Sequence, residues 1–160
     1  MSRRTVTNAV QPSATIVVLL EDDPNDVFFV RRAFEKAQIA NPILAFGSAQ
    51  EARRYLEELR PITPPALFIL DITLAGGETG IAFLGWLREQ PSPLGATPAM
   101  MLTGSERRHE RDEAEMLGSI CFLHKPVTEE AILSAVQSLN LTFRASDRDV
   151  GLHSQEPRPL

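Results

Sequence analysis

Val17-Val18-Leu19-Leu20-Glu21-Asp22-Asp23-Pro24-Asn25-Asp26 joins an unbroken apolar run to three carboxylates and the opening of a helix. A second junction of the same kind, Ala66-Leu67-Phe68-Ile69-Leu70-Asp71, again ends an apolar run on a carboxylate. Runs without apolar/polar alternation are covered on both faces, as the strands of a parallel sheet are. Extending the first run back to Thr15 and adding Ile43 to Phe46, Ala99 to Leu102 and Ile120 to Leu123 gives five, each followed by a helical pattern. That alternation marks an α/β domain. Five βα units with right-handed crossovers most simply build a doubly wound, five-stranded parallel sheet.

The helices carry clearer signals than the strands. Pro24 suits a first helical turn with Asp23 as its cap, and Val27, Val30, Phe34 and Ala37 then share one face. Ser48 and Glu51 form a capping box ahead of Ala52, Tyr55, Leu56 and Leu59. A third helix is expected from Ile81 to Glu89, stopped by Pro91. A fourth, Glu106 to Leu117, is weakly amphipathic and ends at Gly118. The fifth starts at Thr128, with Glu129 and Glu130 at its positive end, and turns Ile132, Leu133, Val136 and Leu139 inward.

The 160 residues suffice for one well-buried domain and are too few for two. Residues 15–141 are assigned to it, while 1–14 and 142–160, polar and without periodicity, read as flexible extensions. A hydrophobic share of 43% and a charged share of 23% are close to average and favour neither a disordered nor a membrane class. No run approaches the ~20 apolar residues of a membrane span, and no signal-peptide core is visible, so a cytoplasmic location is expected. A net charge of -5 argues against nucleic-acid binding, despite the small basic groups at Arg3/Arg4 and Arg107/Arg108/Arg111. The single cysteine, Cys121, excludes an intrachain disulfide and a multi-cysteine zinc site, and between Ile120 and Phe122 it reads as a buried thiol.

In doubly wound sheets ligands bind beyond the carboxyl ends of the strands, so chemistry is sought there. An acidic triplet such as Glu21-Asp22-Asp23 can serve helix capping alone, and a single Asp71 can be a loop acid. With strands 1 and 3 adjacent, Glu21, Asp22 and Asp71 converge into a hard-oxygen pocket suited to Mg²⁺. Thr103-Gly104-Ser105 closes the fourth run and Lys125-Pro126 the fifth. There a hydroxyl and an ammonium can meet a transferred phosphoryl group, with Gly104 leaving room for the anion.

These four landmarks, Glu21 to Asp26, Leu70-Asp71, Leu102 to Ser105 and Phe122-Leu123-His124-Lys125-Pro126, resemble those of the response-regulator receiver family, the CheY-like proteins. The intervals agree, with 49 residues from Asp22 to Asp71, 32 to Thr103 and 22 to Lys125. The resemblance covers residues 15–141 and implies a flavodoxin-like strand order of 2-1-3-4-5. It implies Asp71 as phospho-acceptor, and Mg²⁺ held by Glu21, Asp22, Asp71 and the Thr73 backbone carbonyl. Thr103 and Lys125 would act on the phosphoryl group, and Thr103 and Phe122 would form the switch. The texture of Glu21 to Asp26 and of Leu87 to Ser105 is similar to stand-alone regulators paired with phytochrome-type histidine kinases. A sensor histidine kinase, such as a bacteriophytochrome, is thus the implied partner. The resemblance also departs at one place: receivers commonly carry Pro four and Gly eight residues after the acceptor, whereas here Ala75 stands at the first place and Gly80 lies nine on.

The expected function is a single-domain response regulator of a two-component phosphorelay, a phospho-acceptor and not an enzyme. One alternative is a receiver that no longer takes a phosphoryl group and acts as an interaction module. A small phosphatase of the haloacid-dehalogenase kind is a weaker one, since it needs a second Asp where Thr73 stands. About twenty polar residues after the fifth helix are too few for a helix-turn-helix domain, so output is expected through protein contacts. The alternating charges of the fourth helix suit a homodimer through helix 4, strand 5 and helix 5.

Overall fold

The computed structural model describes residues 15–59, 64–104, 107–137, 139 and 141–143. Strands β1 (Val17–Leu20), β2 (Ile43–Phe46), β3 (Leu67–Asp71), β4 (Ala99–Thr103) and β5 (Ser119–His124) alternate with helices α1 (Pro24–Lys36), α2 (Ala49–Leu59), α3 (Gly80–Arg88), α4 (Arg108–Met116) and α5 (Glu129–Val136). All pairings are parallel, in the order β2-β1-β3-β4-β5. This is the flavodoxin-like arrangement that the resemblance implies.

Alternate residues of a strand face opposite sides of its sheet, and the apolar runs divide accordingly into two cores. Val17, Leu19, Leu67, Ile69, Met100 and Leu102 pack with Val30, Ala33 and Phe34 of α1 and Ile132 and Val136 of α5. Val18, Leu20, Phe68, Leu70 and Met101 pack on the other side with Ala52 and Leu56 of α2, Phe83, Leu84 and Leu87 of α3, and Ala114 of α4. The three central strands are buried throughout, whereas β2 and β5, at the sheet edges, are largely half-buried.

Edge position corrects two expectations. Ile120 is 45% exposed, and Cys121 beside it is half-buried, because β5 has a neighbour on one side only. Leu133 and Leu139 are likewise half-buried, at the margin of the α1/α5 core. The caps are as read: Asp23 accepts from the Asn25 amide, Ser48 from Glu51 and Thr128 from Ala131. Gly118, at φ 80°, closes α4 in a conformation that costs glycine little. Helix α4 starts later than expected, at Arg108, and buries Ala114 alone; Ser105 and Glu106 lie outside the described residues. A one-turn 3₁₀ helix, Leu94–Ala96, follows α3 and was not signalled by the sequence pattern.

The expected extensions, 1–14 and 142–160, fall outside the described residues except at Thr142 and Phe143, which make contacts with residues 39–41. The Ala40 amide donates to the Thr142 carbonyl at 2.7 Å, and Phe143 forms an antiparallel bridge with Ile39. Asn41, 4% exposed, donates from Nδ2 to the Thr15 carbonyl and accepts from the Thr142 amide, each at 2.7 Å. One buried amide side chain thereby ties the entry to β1 to the chain leaving α5. No helix among the described residues is long and apolar enough to cross a membrane.

Arg88 at the end of α3 joins the 3₁₀ turn, the start of β4 and the end of α4. Its Nε donates to Leu117 O at 2.7 Å, Nη1 to Gly95 O at 3.1 Å and Thr97 O at 2.6 Å, and Nη2 to Gly118 O at 3.4 Å. A lysine has no planar fork with which to reproduce this set. Arg88→Ala should lower unfolding free energy by roughly 2–4 kcal/mol, and Arg88→Lys should recover less than half of the loss in urea denaturation.

Candidate functional site

Strand register assembles the site. Leu20 pairs with Leu70, Asp71 with Leu102 and Thr103 with His124. Backbone pairing runs one residue further: the Glu21 amide donates to Phe46 O at 3.0 Å, Ile72 to Leu102 O at 3.1 Å and Lys125 to Thr103 O at 2.9 Å. Glu21, Asp71, Thr103 and Lys125 are therefore delivered by main-chain geometry to one end of the sheet. With Asp22, Asp23, Asp26, Thr73, Gly104 and Glu110 they line a cleft of about 350 Å³. A larger groove of about 630 Å³, lined by Leu56, Trp86, Pro93 and Leu94, lies away from these residues.

Asp71 is 3% exposed and Glu21 2%, so both carboxylates need internal partners. Asp71 Oδ2 accepts from Lys125 Nζ at 2.8 Å and Oδ1 from the Thr73 amide at 3.2 Å. Glu21 Oε1 accepts from the Asp23 amide at 3.0 Å. Its Oε2 lies 2.9 Å from Lys125 Nζ, an ion-pair distance, but in an orientation that makes no hydrogen bond. Burial, joined by Asp71, outweighs the downward pull of the Asp23 amide and Lys125 and leaves the Glu21 carboxyl raised to about 7. Burial works to lower Lys125, but its contacts with Asp71, Glu21 and Asp26 prevail and hold the ammonium above its ordinary value. Asp22 is exposed, yet its carboxylate oxygens come within 4.8 Å of those of Glu21 and Asp71.

The segment after Asp71, where the sequence departs from the receiver pattern, folds as a pinned loop. Thr73 and Thr79 form an antiparallel bridge, and the Gly80 amide donates to Ile72 O at 3.1 Å. The additional residue is absorbed between them, where Gly76 and Gly77 take φ of 101° and 88°. Gly80 itself lies so close to Asp71 that a Cβ there would stand 2.0 Å from the Asp71 carbonyl oxygen. Asp22 Oδ2 accepts from the Ala75 amide at 2.9 Å, and Arg53, stacked over Trp86, pairs with Glu78.

Thr103 is buried at the cleft edge, and Phe122, paired in register with Met101, is half-buried. The Arg111 guanidinium lies 5.1 Å from the Phe122 ring centroid, a cation–π distance, and Arg111 Nε lies 3.3 Å from Glu115 one turn on. Every side chain singled out from the sequence for the cleft is there, with Phe122 outside it on β5. Two cleft residues carried no role in that reading: Glu110, from α4, and Asp26, whose Oδ2 lies 3.1 Å from Lys125 Nζ. The signal for Asp26 was available, since Pro24 at the helix start sets Asp26 in the first turn, directly after the acidic triplet.

This fold and this arrangement of residues define a signal-receiving domain. The model of the response regulator receiver domain matches residues 17–137, and the chain belongs to that family. Among curated proteins no relative matches the sequence. The bacteriophytochrome response regulator AtBRR is 28% identical with a TM-score of 0.70, over 85% of this chain and 99% of that one. The bacteriophytochrome response regulator RtBRR, at 24% identity and a TM-score of 0.71 over 84% and 82%, shares the fold. So does the chemotaxis protein CheY4 of Vibrio cholerae, at 22% and 0.65 over 78% and 97%. The chain is thus a response-regulator receiver of the two-component class.

A buried acid raised from 4.5 to about 7 binds a proton in the folded state that the unfolded state has released. Between those values stability falls as pH rises, and the penalty is complete above the folded value. Metal-free Glu21→Gln should therefore exceed wild type in unfolding free energy by roughly 1–3 kcal/mol at pH 8. The difference should shrink towards pH 5 in parallel denaturation curves.

Proposed function

We propose that this receiver is a stand-alone response regulator whose Asp71 accepts a phosphoryl group from a sensor histidine kinase. The carrying observation is the buried Asp71 carboxylate, 2.8 Å from Lys125 Nζ and clustered with Glu21 and Asp22 in an open cleft. In an in-line displacement, an Asp71 oxygen forms the new P–O bond while the P–N bond to the donor imidazole breaks and its electron pair returns to the ring. Lys125 neutralises charge on the transferring oxygens, and the Thr103 hydroxyl donates to one of them. The nucleophile is already a carboxylate, so no general base is needed. Hydrolysis of the acyl phosphate resets the switch, which makes the protein a phospho-acceptor and not an enzyme acting on a separate substrate.

The oxygen donors fit Mg²⁺, and Glu21 Oε2, buried without a hydrogen bond, is the atom most suited to a further cation. Glu21, Asp22 and Asp71, with the Thr73 carbonyl carried over from the family, would hold the ion, which supplies positive charge against the donor phosphate. Similarity to AtBRR supports a bacteriophytochrome-type kinase as the donor. The proposed setting is the cytoplasm, with protein and not nucleic-acid contacts.

Incubation with acetyl phosphate and Mg²⁺ should add ~80 Da, the mass of one phosphoryl group, in a hydroxylamine-labile bond. The same adduct on Asp71→Asn in mass spectrometry would reject Asp71 as the acceptor; its absence from wild type would favour the interaction-module alternative.

Phosphorylation would draw Thr103 towards the new oxygens and Phe122 after it, shifting the population on the face of α4, β5 and α5. A homodimer through this face is supported by two exposed apolar side chains, Met116 at the end of α4, 90% exposed, and Ile120 of β5. Arg111 and Glu115 already pair within one helix, so apolar contacts should matter more than reciprocal ion pairs. Met116→Glu should shift the monomer–dimer balance towards monomer by about tenfold or more in sedimentation equilibrium, a loss on the scale of one buried apolar side chain. A wild type that stays monomeric with and without acetyl phosphate would sink this interface.

A further inference from the structure

The Lys125 ammonium has three protons to donate and three carboxylates around it: Asp71 Oδ2 at 2.8 Å, Glu21 Oε2 at 2.9 Å and Asp26 Oδ2 at 3.1 Å. The first two belong to the oxygen cluster suited to a divalent cation, and Asp26 does not. When a divalent cation engages Glu21 and Asp71 before a donor phosphate arrives, both lose part of their pull on the ammonium, and the divalent charge repels it. A lysine side chain then has ample rotamer freedom to swing into solvent. Asp26 is placed to prevent this. It stands in the first turn of α1, a helix capped by Asp23 and fastened to the sheet through Val30, Ala33 and Phe34. Its side chain is 22% exposed and that of Lys125 20%, so the pair is partly sheltered from screening.

We propose that Asp26 is a positioning residue, the fixed anchor that keeps Lys125 aimed at the acceptor oxygen until the incoming phosphoryl oxygens take up its charge; this rests on the reading of Asp71 as acceptor. Asp26 touches neither phosphorus nor the attacking oxygen. It acts through Lys125, by remaining its partner when the other two carboxylates are engaged.

The test uses the full chain with Asp26→Asn, Asp26→Ala and Asp26→Glu. The maximal rate of labelling by acetyl phosphate should fall roughly tenfold in the Asn and Ala forms, the scale of a misplaced catalytic group. The donor concentration for half-maximal rate should change little, and Asp26→Glu should recover most of the rate. A second readout needs no phosphodonor. The chain has two lysines, and the exposed Lys36 serves as an internal control for acylation by an amine-reactive ester followed by mass spectrometry. In wild type, Lys125 should label more slowly than Lys36 with or without Mg²⁺; in Asp26→Asn, adding Mg²⁺ should raise Lys125 labelling several-fold. Wild-type labelling of Lys125 in Asp26→Asn with Mg²⁺, or equal slowing of phosphorylation in all three variants, would overturn the anchor. If wild type takes no phosphoryl group on Asp71, the acceptor reading fails while the lysine-labelling comparison still decides the role of Asp26.

Discussion

Lys125 is the one cation among the described residues that line the cleft, and six carboxylates face the same space. Without that ammonium, Glu21 and Asp71 would be buried charges beside one another, a situation that proteins avoid by neutralising or pairing such groups. Its placement depends on β5 lying against β4, with the Lys125 amide held by the Thr103 carbonyl. The same ion pairs explain why the site is poised and not simply stable. Burial above all, and Asp71 to a smaller degree, raise the Glu21 carboxyl, so the cost of charging this buried acid is only partly offset by Lys125 and the Asp23 amide.

Parallel register converts distant sequence into local chemistry. Glu21, Asp71, Thr103 and Lys125 each sit on the last residue of a strand or one beyond it, so no loop has to find its place for them to meet. Loops adjust around that frame. The longer, glycine-bearing segment after Asp71 is closed off by the Thr73–Thr79 bridge, and Gly80 packs on the Asp71 carbonyl. Asp22 couples that loop to the acidic cluster through Ala75, so one carboxylate serves both metal-type geometry and loop anchoring.

The central strands were legible because burial on both faces leaves a continuous apolar run, and the helix starts because Asp23, Ser48 and Thr128 announce themselves as caps. Edges were harder. Ile120 and Cys121 have the composition of core residues, and only the position of β5 at the end of the sheet exposes them. The contacts of Thr142 and Phe143 with residues 39 and 40 are backbone pairings, which leave no trace in composition. Strand-end chemistry was readable residue by residue, since few charges can end an apolar strand without purpose. Asp26 escaped notice because an acid in a first helical turn is ordinarily explained by the helix dipole, and its meeting with Lys125 is a tertiary event. Arg111 over Phe122 is another such contact, joining α4 to the aromatic residue of β5.

The stitch made by Asn41 has a topological consequence. Thr15 and Thr142 are bound to the same side chain, and Thr15 enters β1 at the end opposite Glu21, some ~17–20 Å away for a strand of this length. The described chain therefore enters and leaves the domain at one pole, and the Asp71 cleft occupies the other. Thr15 and Thr142 are thereby neighbours, the arrangement in which a short bridge joining the two ends of the described domain would strain its fold least.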